Sequence, residues 1–150
     1  MARLRGAATT QGEVALSGAV AKTILQLVAP SSQRVALLGF AVAFDGVSST
    51  TEPVQVEILR QTSAGTSSAG TPVRDDDSIT DALRTTSRIT FTVEPTSGDV
   101  LRRYNVHPQT GFERVFGPDE EIIIGGSDRL GIRCTAPVGV NVTGHMIFEE

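Results

Sequence analysis

The sequence predicts an all-β protein: an antiparallel β-sandwich or jelly roll of about eight to ten strands with at most one short helix. Three observations lead there. Apolar and polar residues alternate over short runs, glycine and proline punctuate those runs at close spacing, and only one stretch carries a helical signature. The chain has 150 residues, 15 of them glycine and 7 proline, a length that suits one domain with a core of its own. Residues 13–150 are expected to form that domain, and residues 1–12, small, polar or basic and without a period, a flexible arm.

Taken in order, a strand pair is expected at residues 13–17 and 20–28, ended by "APSSQ". The next run, "RVALLGFAVAF" over Arg34–Phe44, is apolar on both faces. Val35, Leu37, Ala41 and Ala43 share one face under strict alternation, and Ala36, Leu38, Phe40, Val42 and Phe44 share the other. Such a strand is covered on both sides. One cover is the domain core, and the second face, with Leu38, Phe40, Val42 and Phe44, is expected to meet a neighbouring subunit. The Asp-Gly loop "DGVSSTTEP" leads to a half-buried strand at residues 54–59, where Val54, Val56 and Ile58 alternate with Gln55 and Glu57. Residues 62–72, "TSAGTSSAGTP", hold little apolar surface and predict a mobile excursion. "DDDSITDALRTTS" carries the one helical hint, because Ser78 and Asp81 have capping-box spacing and Asp75 to Asp77 suit a helix N-terminus. Strands are then expected at residues 89–93, 100–106, 112–116, 121–124, 129–135 and 138–148.

Composition excludes several function classes. The net charge of −4 and a pI near 5.2 argue against nucleic acid as a principal partner, which requires a concentrated positive field. No apolar run is long enough to span a membrane, and "MARLRGAATTQGE" lacks the apolar segment of a secretory signal, so neither membrane nor export is expected. A single cysteine rules out an internal disulfide and a multi-cysteine zinc site.

The residues that could carry chemistry read as structure. Cys134 is in phase with Leu130 and Ile132 and belongs to the core, whereas His145 alternates with Val142 and Met146 and belongs to the wetter face. The two point to opposite sides of their strands and make no thiolate–imidazole pair. Asp75, Asp76 and Asp77 lack calcium-loop spacing and read as a solvated cap. Adjacent Glu120 and Glu121 face opposite ways, unlike a glycosidase pair. His107, in "NVHPQTG", completes a loop. No H-x-H pair of the cupin kind occurs. The expectation is a non-enzyme without catalytic residues, cofactor or metal.

The succession "AKTILQLVAP", "QRVALLGFAVAFDG", "EPVQVEILRQTSAGT", "TPVR", "EPTSGDVLRRYNVHPQTG" and "DRLGIRCTAPVGVNV", ending in "MIFEE", resembles a family of small β-sandwich virion proteins of bacteriophages and prophages, of the head-decoration or cement type. It spans residues 21–150. The resemblance implies a capsid decoration protein, often trimeric, that binds the outside of the icosahedral head at junctions of the major capsid protein and stabilises the shell. It implies a place on the virion surface after assembly in the host bacterial cytoplasm, with the major capsid protein and a homotrimer of self as partners. Arg3 and Arg5, in the arm, are then expected to dock onto the shell. A tail or baseplate component is the alternative within the virion class. A carbohydrate-binding module is the alternative outside it, poorly supplied with aromatic platforms because Tyr104 is the one tyrosine and tryptophan is absent.

Overall fold

The computed structural model describes residues 3–48, 51–78 and 80–150. The alternating runs become strands: β1 (Arg5–Thr9), β2 (Val14–Leu16), β3 (Ala21–Val28), β4 (Arg34–Phe44), β5 (Val54–Gln61), β6 (Thr66–Ala69), β7 (Val73–Arg74), β8 (Thr86–Val93), β9 (Ser97–Val106), β10 (Gly111–Val115), β11 (Ile122–Gly125), β12 (Arg129–Thr135) and β13 (Val140–Glu149). All the pairings are antiparallel. No helix occurs among the described residues, and so none is long and apolar enough to cross a membrane.

The strands form two sheets, and the fold is a β-sandwich, as the alternation predicted. The first sheet runs β10-β4-β13-β1-β7, and the second runs β6-β8-β3-β12-β5-β9. In the first, β13 holds β4 along one side and the collinear pair β1 and β2 along the other. Strand β4 likewise holds β13 on one side and, in succession, β10 and β11 on the other. Between the sheets lies one apolar core, with Ile24, Leu25, Leu37, Phe40, Ile58, Leu130, Ile132, Met146 and Phe148 fully buried.

Strand β4 departs from strict alternation, and this corrects the expected interface. Against β13, Gly39 pairs with Ile147 and Leu37 pairs with Phe148, which leaves Leu38 with no partner. The extra residue makes a β-bulge, and each side chain beyond it changes face. The core face is therefore Val35 and Leu37 before the bulge and Phe40, Val42 and Phe44 after it. Phe40 is 1% exposed, Val42 2% and Phe44 9%, so these three are core residues of a single chain and not a surface for a neighbour. Leu38 alone of the four stays half-buried, outside the core cluster. Gly39 is required at the bulge because a Cβ there would stand 2.8 Å from the Arg114 carbonyl oxygen.

Phe40 then becomes the centre of a ring cluster where the sandwich closes between β9 and β10. Its ring centroid lies 5.7 Å from Tyr104, 5.9 Å from Phe112 and 6.4 Å from Phe116, and Tyr104 lies 4.7 Å from Phe112. Offset, tilted rings at these separations add attraction beyond their burial.

Three segments differ from their sequence expectation. Residues 5–9 are not a free arm: β1 pairs with β13 from Arg5↔Glu149 to Thr9↔His145 and with β7 on its other side. Gly6 and Ala8 are small enough to enter the core there, a signal too weak for an apolar pattern to reveal. Residues 66–69 are not an open excursion, since β6 pairs with β8 between Thr66↔Val93 and Ala69↔Arg88. The capping-box segment is not helical. The Asp76 carboxylate accepts from the Ser78 amide and hydroxyl in a local turn. Beyond it, the Glu150 carboxylate accepts from the amides of Arg84 and Thr85 and holds the chain extended. Ile79, within that hint, lies outside the described residues, as do Met1 and Ala2 of the expected arm.

The bulge makes a direct prediction for stability. Phe40→Ala should cost about 3–5 kcal/mol in denaturant unfolding, whereas Leu38→Ala should cost less than about 1 kcal/mol. Comparable losses at the two positions would mean that β4 keeps strict alternation.

Candidate interaction face

Antiparallel registers lay out the outward side chains of the first sheet in cross-strand rows. Arg5, Glu149, Ala36 and Ile123 form one row, and Ala7, Ile147, Gly39 and Val115 the next. Thr9, His145, Ala41 and Glu113 form a third, followed by Thr143, Ala43 and Gly111. The middle of this face is apolar and low in relief. Val115 is 65% exposed and Ile123 53%, while Ala7, Ala36, Leu38, Ala41 and Ile147 are half-buried around them. The neighbouring Val and Ile stand above a floor of alanine and glycine, so the surface has shallow steps and no deep cavity.

Two clefts border it. One, about 320 Å³, is lined by Thr9 to Gly12, Ala41 to Ala43 and Thr143 to His145. The other, about 240 Å³, lies among Arg3, Arg34, Ala36, Ile123, Glu149 and Glu150. Both clefts are open, and their polar groups face solvent.

The arginines expected to dock are held within the chain. Arg3 and Arg5 both pair with the Glu149 carboxylate, Arg5 Nε at 3.6 Å, and between them they cover a nearly buried acid. Their outer edges remain exposed, so this end of the face carries a positive rim formed by Arg3, Arg5 and Arg34.

The outward face of the second sheet is built differently. Thr23, Gln26, Glu57 and Gln61 are buried there. Gln26 Nε2 donates to Gln61 Oε1 at 2.7 Å and to the Ser63 carbonyl at 3.0 Å, and Gln61 Nε2 donates to Thr23 Oγ1 at 2.9 Å. Gly131 leaves the room, since a Cβ would lie 2.3 Å from Gln61 Oε1. Glu57 accepts from Arg103 Nε at 2.9 Å and Arg133 Nε at 2.8 Å, and Arg133 Nη1 reaches Ser97 Oγ at 2.6 Å. Neighbouring strands and the Ser63 carbonyl thus bind the polar groups at the centre of this face, and charge-assisted bonds satisfy its buried acid. Sequence reading placed Glu57 on the wet side of its strand. The hint in retrospect is the polar series Thr23, Gln26, Glu57, Gln61 and Arg133 in three strands that end up adjacent, a relation visible only once β3, β12 and β5 are paired.

The other singled-out residues fall in separate places. Cys134 is fully buried in the core. Burial, and secondarily the Glu57 charge, pushes its thiol from 9.0 up to about 12. His145 is half-buried on the outward face of the other sheet, so the two make no pair. His107 Nδ1 accepts from the Gln109 amide in its loop. Asp75 to Asp77 are exposed, and the Ser78 hydroxyl and then its amide hold the Asp76 carboxyl below its usual range. Glu120 pairs with Arg114 at 3.2 Å, while Glu121 accepts from the Asp119 amide in the same turn. Among the described residues no three His, Cys, Asp or Glu gather as metal ligands. All seven aromatic side chains are buried or half-buried, and Tyr104 lies in the ring cluster. Comparison with family models, curated proteins and solved structures gave no match.

Two measurements follow from these environments. Cys134 should react with a thiol reagent only in denaturant, because the thiolate is disfavoured in the fold. Its thiol is raised in the folded state, so its stabilising contribution is whole below pH 9.0 and declines as pH rises toward about 12. Rapid labelling of native protein at neutral pH would contradict the burial. Glu57→Ala, which strands the guanidinium of mostly buried Arg133, should cost about 3 kcal/mol. Arg103→Ala, whose side chain is 58% exposed, should cost less than about 1 kcal/mol in the same urea titration.

Proposed function

We propose that this chain is a bacteriophage capsid decoration protein, a structural and non-catalytic component of the virion surface that self-associates as a homotrimer and binds the major capsid protein. The observation that carries this reading is the contrast between the two outward faces. The centre of the second sheet's outward face is closed by buried polar groups and ion pairs, whereas the first presents exposed Val115 and Ile123 beside half-buried Leu38, Ile147 and alanines. A contiguous apolar face bordered by charge is the signature of a protein-binding surface. The resemblance over residues 21–150 supports a shell as the protein that meets it. The sugar-binding alternative is less favoured, because the aromatic rings lie in the core and offer no stacking platform.

On this reading the apolar centre supplies contact area, while Arg3, Arg5 and Arg34 steer the face toward acidic groups on the shell. Arg5 and Arg3 are partly neutralised by Glu149, so the electrostatic share is modest and salt-sensitive.

Co-sedimentation with undecorated heads tests the proposal. Ile123→Asp and Val115→Asp should each weaken binding by about tenfold or more through burial of an unpaired charge in the contact. Their melting temperatures should stay close to wild type, since both side chains are exposed in the free protein. Undiminished binding by both variants, or a copy number in purified virions that matches the tail and not the shell, would overturn it.

A further inference from the structure

We propose that β1 is an exchangeable strand, and that in the self-associated state Arg5–Thr9 pairs with β13 of a second copy of this chain. Three features of the N-terminal region lead to this, and none depends on the virion reading.

The first is slack. β1 and β2 both pair with β13, but the four residues 10–13 between them stand opposite only residues 143 and 144. The chain bulges outward here, exposed at Gln11, Gly12 and Glu13. Stretched out, four residues span about 13 Å, so straightening this segment carries β1 to a neighbour without disturbing β2.

The second is strain. Gln11 has a φ of 56° and Gly12 one of 146°, and for a non-glycine residue the left-handed region is sparsely populated. A Cβ on Gly12 would meet nothing within 4 Å, so the tip of the bend is free of packing. Its braces are polar: the Thr10 hydroxyl donates to the Gly12 carbonyl at 2.8 Å and accepts from the Gly144 amide at 3.3 Å, the Thr10 amide donates to the Gly144 carbonyl at 2.9 Å, and the Gln11 amide donates to Thr9 Oγ1 at 3.2 Å. A short strained hinge favours exchange, because opening it relieves strain while the exchanged element keeps all its contacts.

The third is the nature of those contacts. The β1 side chains that enter the core are Gly6 and Ala8, and most of what holds the strand is main-chain pairing with β13 and β7. Its flanks add the paired amides and carbonyls of Leu4 and Glu150, and the bond from the Asp75 amide to the Arg5 carbonyl. Arg3 and Arg5 complete the set on Glu149. A second copy presents the same slot, with the same carboxylate and the same space beside Phe148 and Leu83, where a Cβ on residue 6 would come within 2.9 Å. The slot is therefore selective for this strand, since it admits glycine at that position and little else.

Exchange is read by linking two different single variants. Ala7 and Ile147 are cross-strand partners, as are Thr9 and His145. Chains carrying Ala7→Cys are mixed with chains carrying Ile147→Cys, warmed, cooled and oxidised, and the products are separated without reductant. A disulfide between residues 7 and 147 in the mixture requires β1 of one chain beside β13 of another. The double variant Ala7→Cys/Ile147→Cys calibrates the geometry, and the Thr9→Cys and His145→Cys pair repeats the test at a second position. A mixed-chain link at either pair, reduced severalfold by Gln11→Gly because glycine accepts the bend without strain, is the expected result. Intrachain linking of the double variants with no mixed-chain product would overturn the proposal. So would a wild-type chain that sediments as a monomer at all concentrations. Head binding does not enter this readout, so the result stands apart from the decoration assay.

Discussion

Because side chains alternate along a strand, the unmatched Leu38 in β4 reverses the facing of everything after it, and the ring cluster around Phe40 exists only beyond that reversal. The bulge lies where the opposite side of β4 changes partner: β10 ends its pairing at Gly39, and β11 begins at Leu37. A bulge locally increases twist. Gly39 lets the Arg114 carbonyl approach at this point, so the change of partner, the glycine and the extra residue form one device. Without it, the three large side chains Phe40, Val42 and Phe44 would leave the core and Ala41 and Ala43 would enter it. The core would lose volume that no nearby residue can supply.

The same reversal leaves the outer surface of the first sheet to small residues. Alanine and glycine on that side make a low floor, and the taller Val115 and Ile123 rise from the edge strands. The second sheet has large polar groups outward and bonds them chiefly to one another across its strands. The molecule is thus two-sided in chemistry as well as in layers. One face is closed by polar bonds whose geometry is specific, and the other is left smooth and apolar. Directional bonds rigidify the closed side, while the centre of the open side owes its shape mainly to backbone pairing.

Much of this architecture is legible in the sequence, since β5, β8, β12 and most of β13 follow runs that alternate. Cys134 and His145 were placed on the correct sides by parity alone. The failures share one cause: they depend on what lies beside a segment and not on its own pattern. β1 offers Gly6 and Ala8 to the core, and neither registers as hydrophobic patterning. β6 is a polar run that becomes a strand because β8 supplies hydrogen-bond partners. The capping-box segment forms a turn at Asp76 and Ser78, and beyond it Arg84 and Thr85 bond Glu150, far along the chain. Leu38 is the sharpest case, because a run apolar on both faces fits a two-sided strand as well as a one-sided strand with a bulge. Glu57 and its two arginines were individually visible as charges, but their convergence needs the register of three strands.

The position of β13 bears on how the chain reaches this state. β1, β2 and β4 all depend on it for pairing, yet it lies about a hundred residues or more downstream of each of them. On a ribosome β1, β2 and β4 therefore lack this partner until residues 140–149 emerge, although β4 can pair earlier with β10 and β11, and β1 with β7. The β5–β9 half of the second sheet pairs across a shorter stretch, but β12, which joins β3 to β5, emerges only shortly before β13. Nucleation on that half would leave the apolar edge of β4 open for much of synthesis. The order of the strands along the chain thus leaves β13, the shared partner of three others, to complete the first sheet.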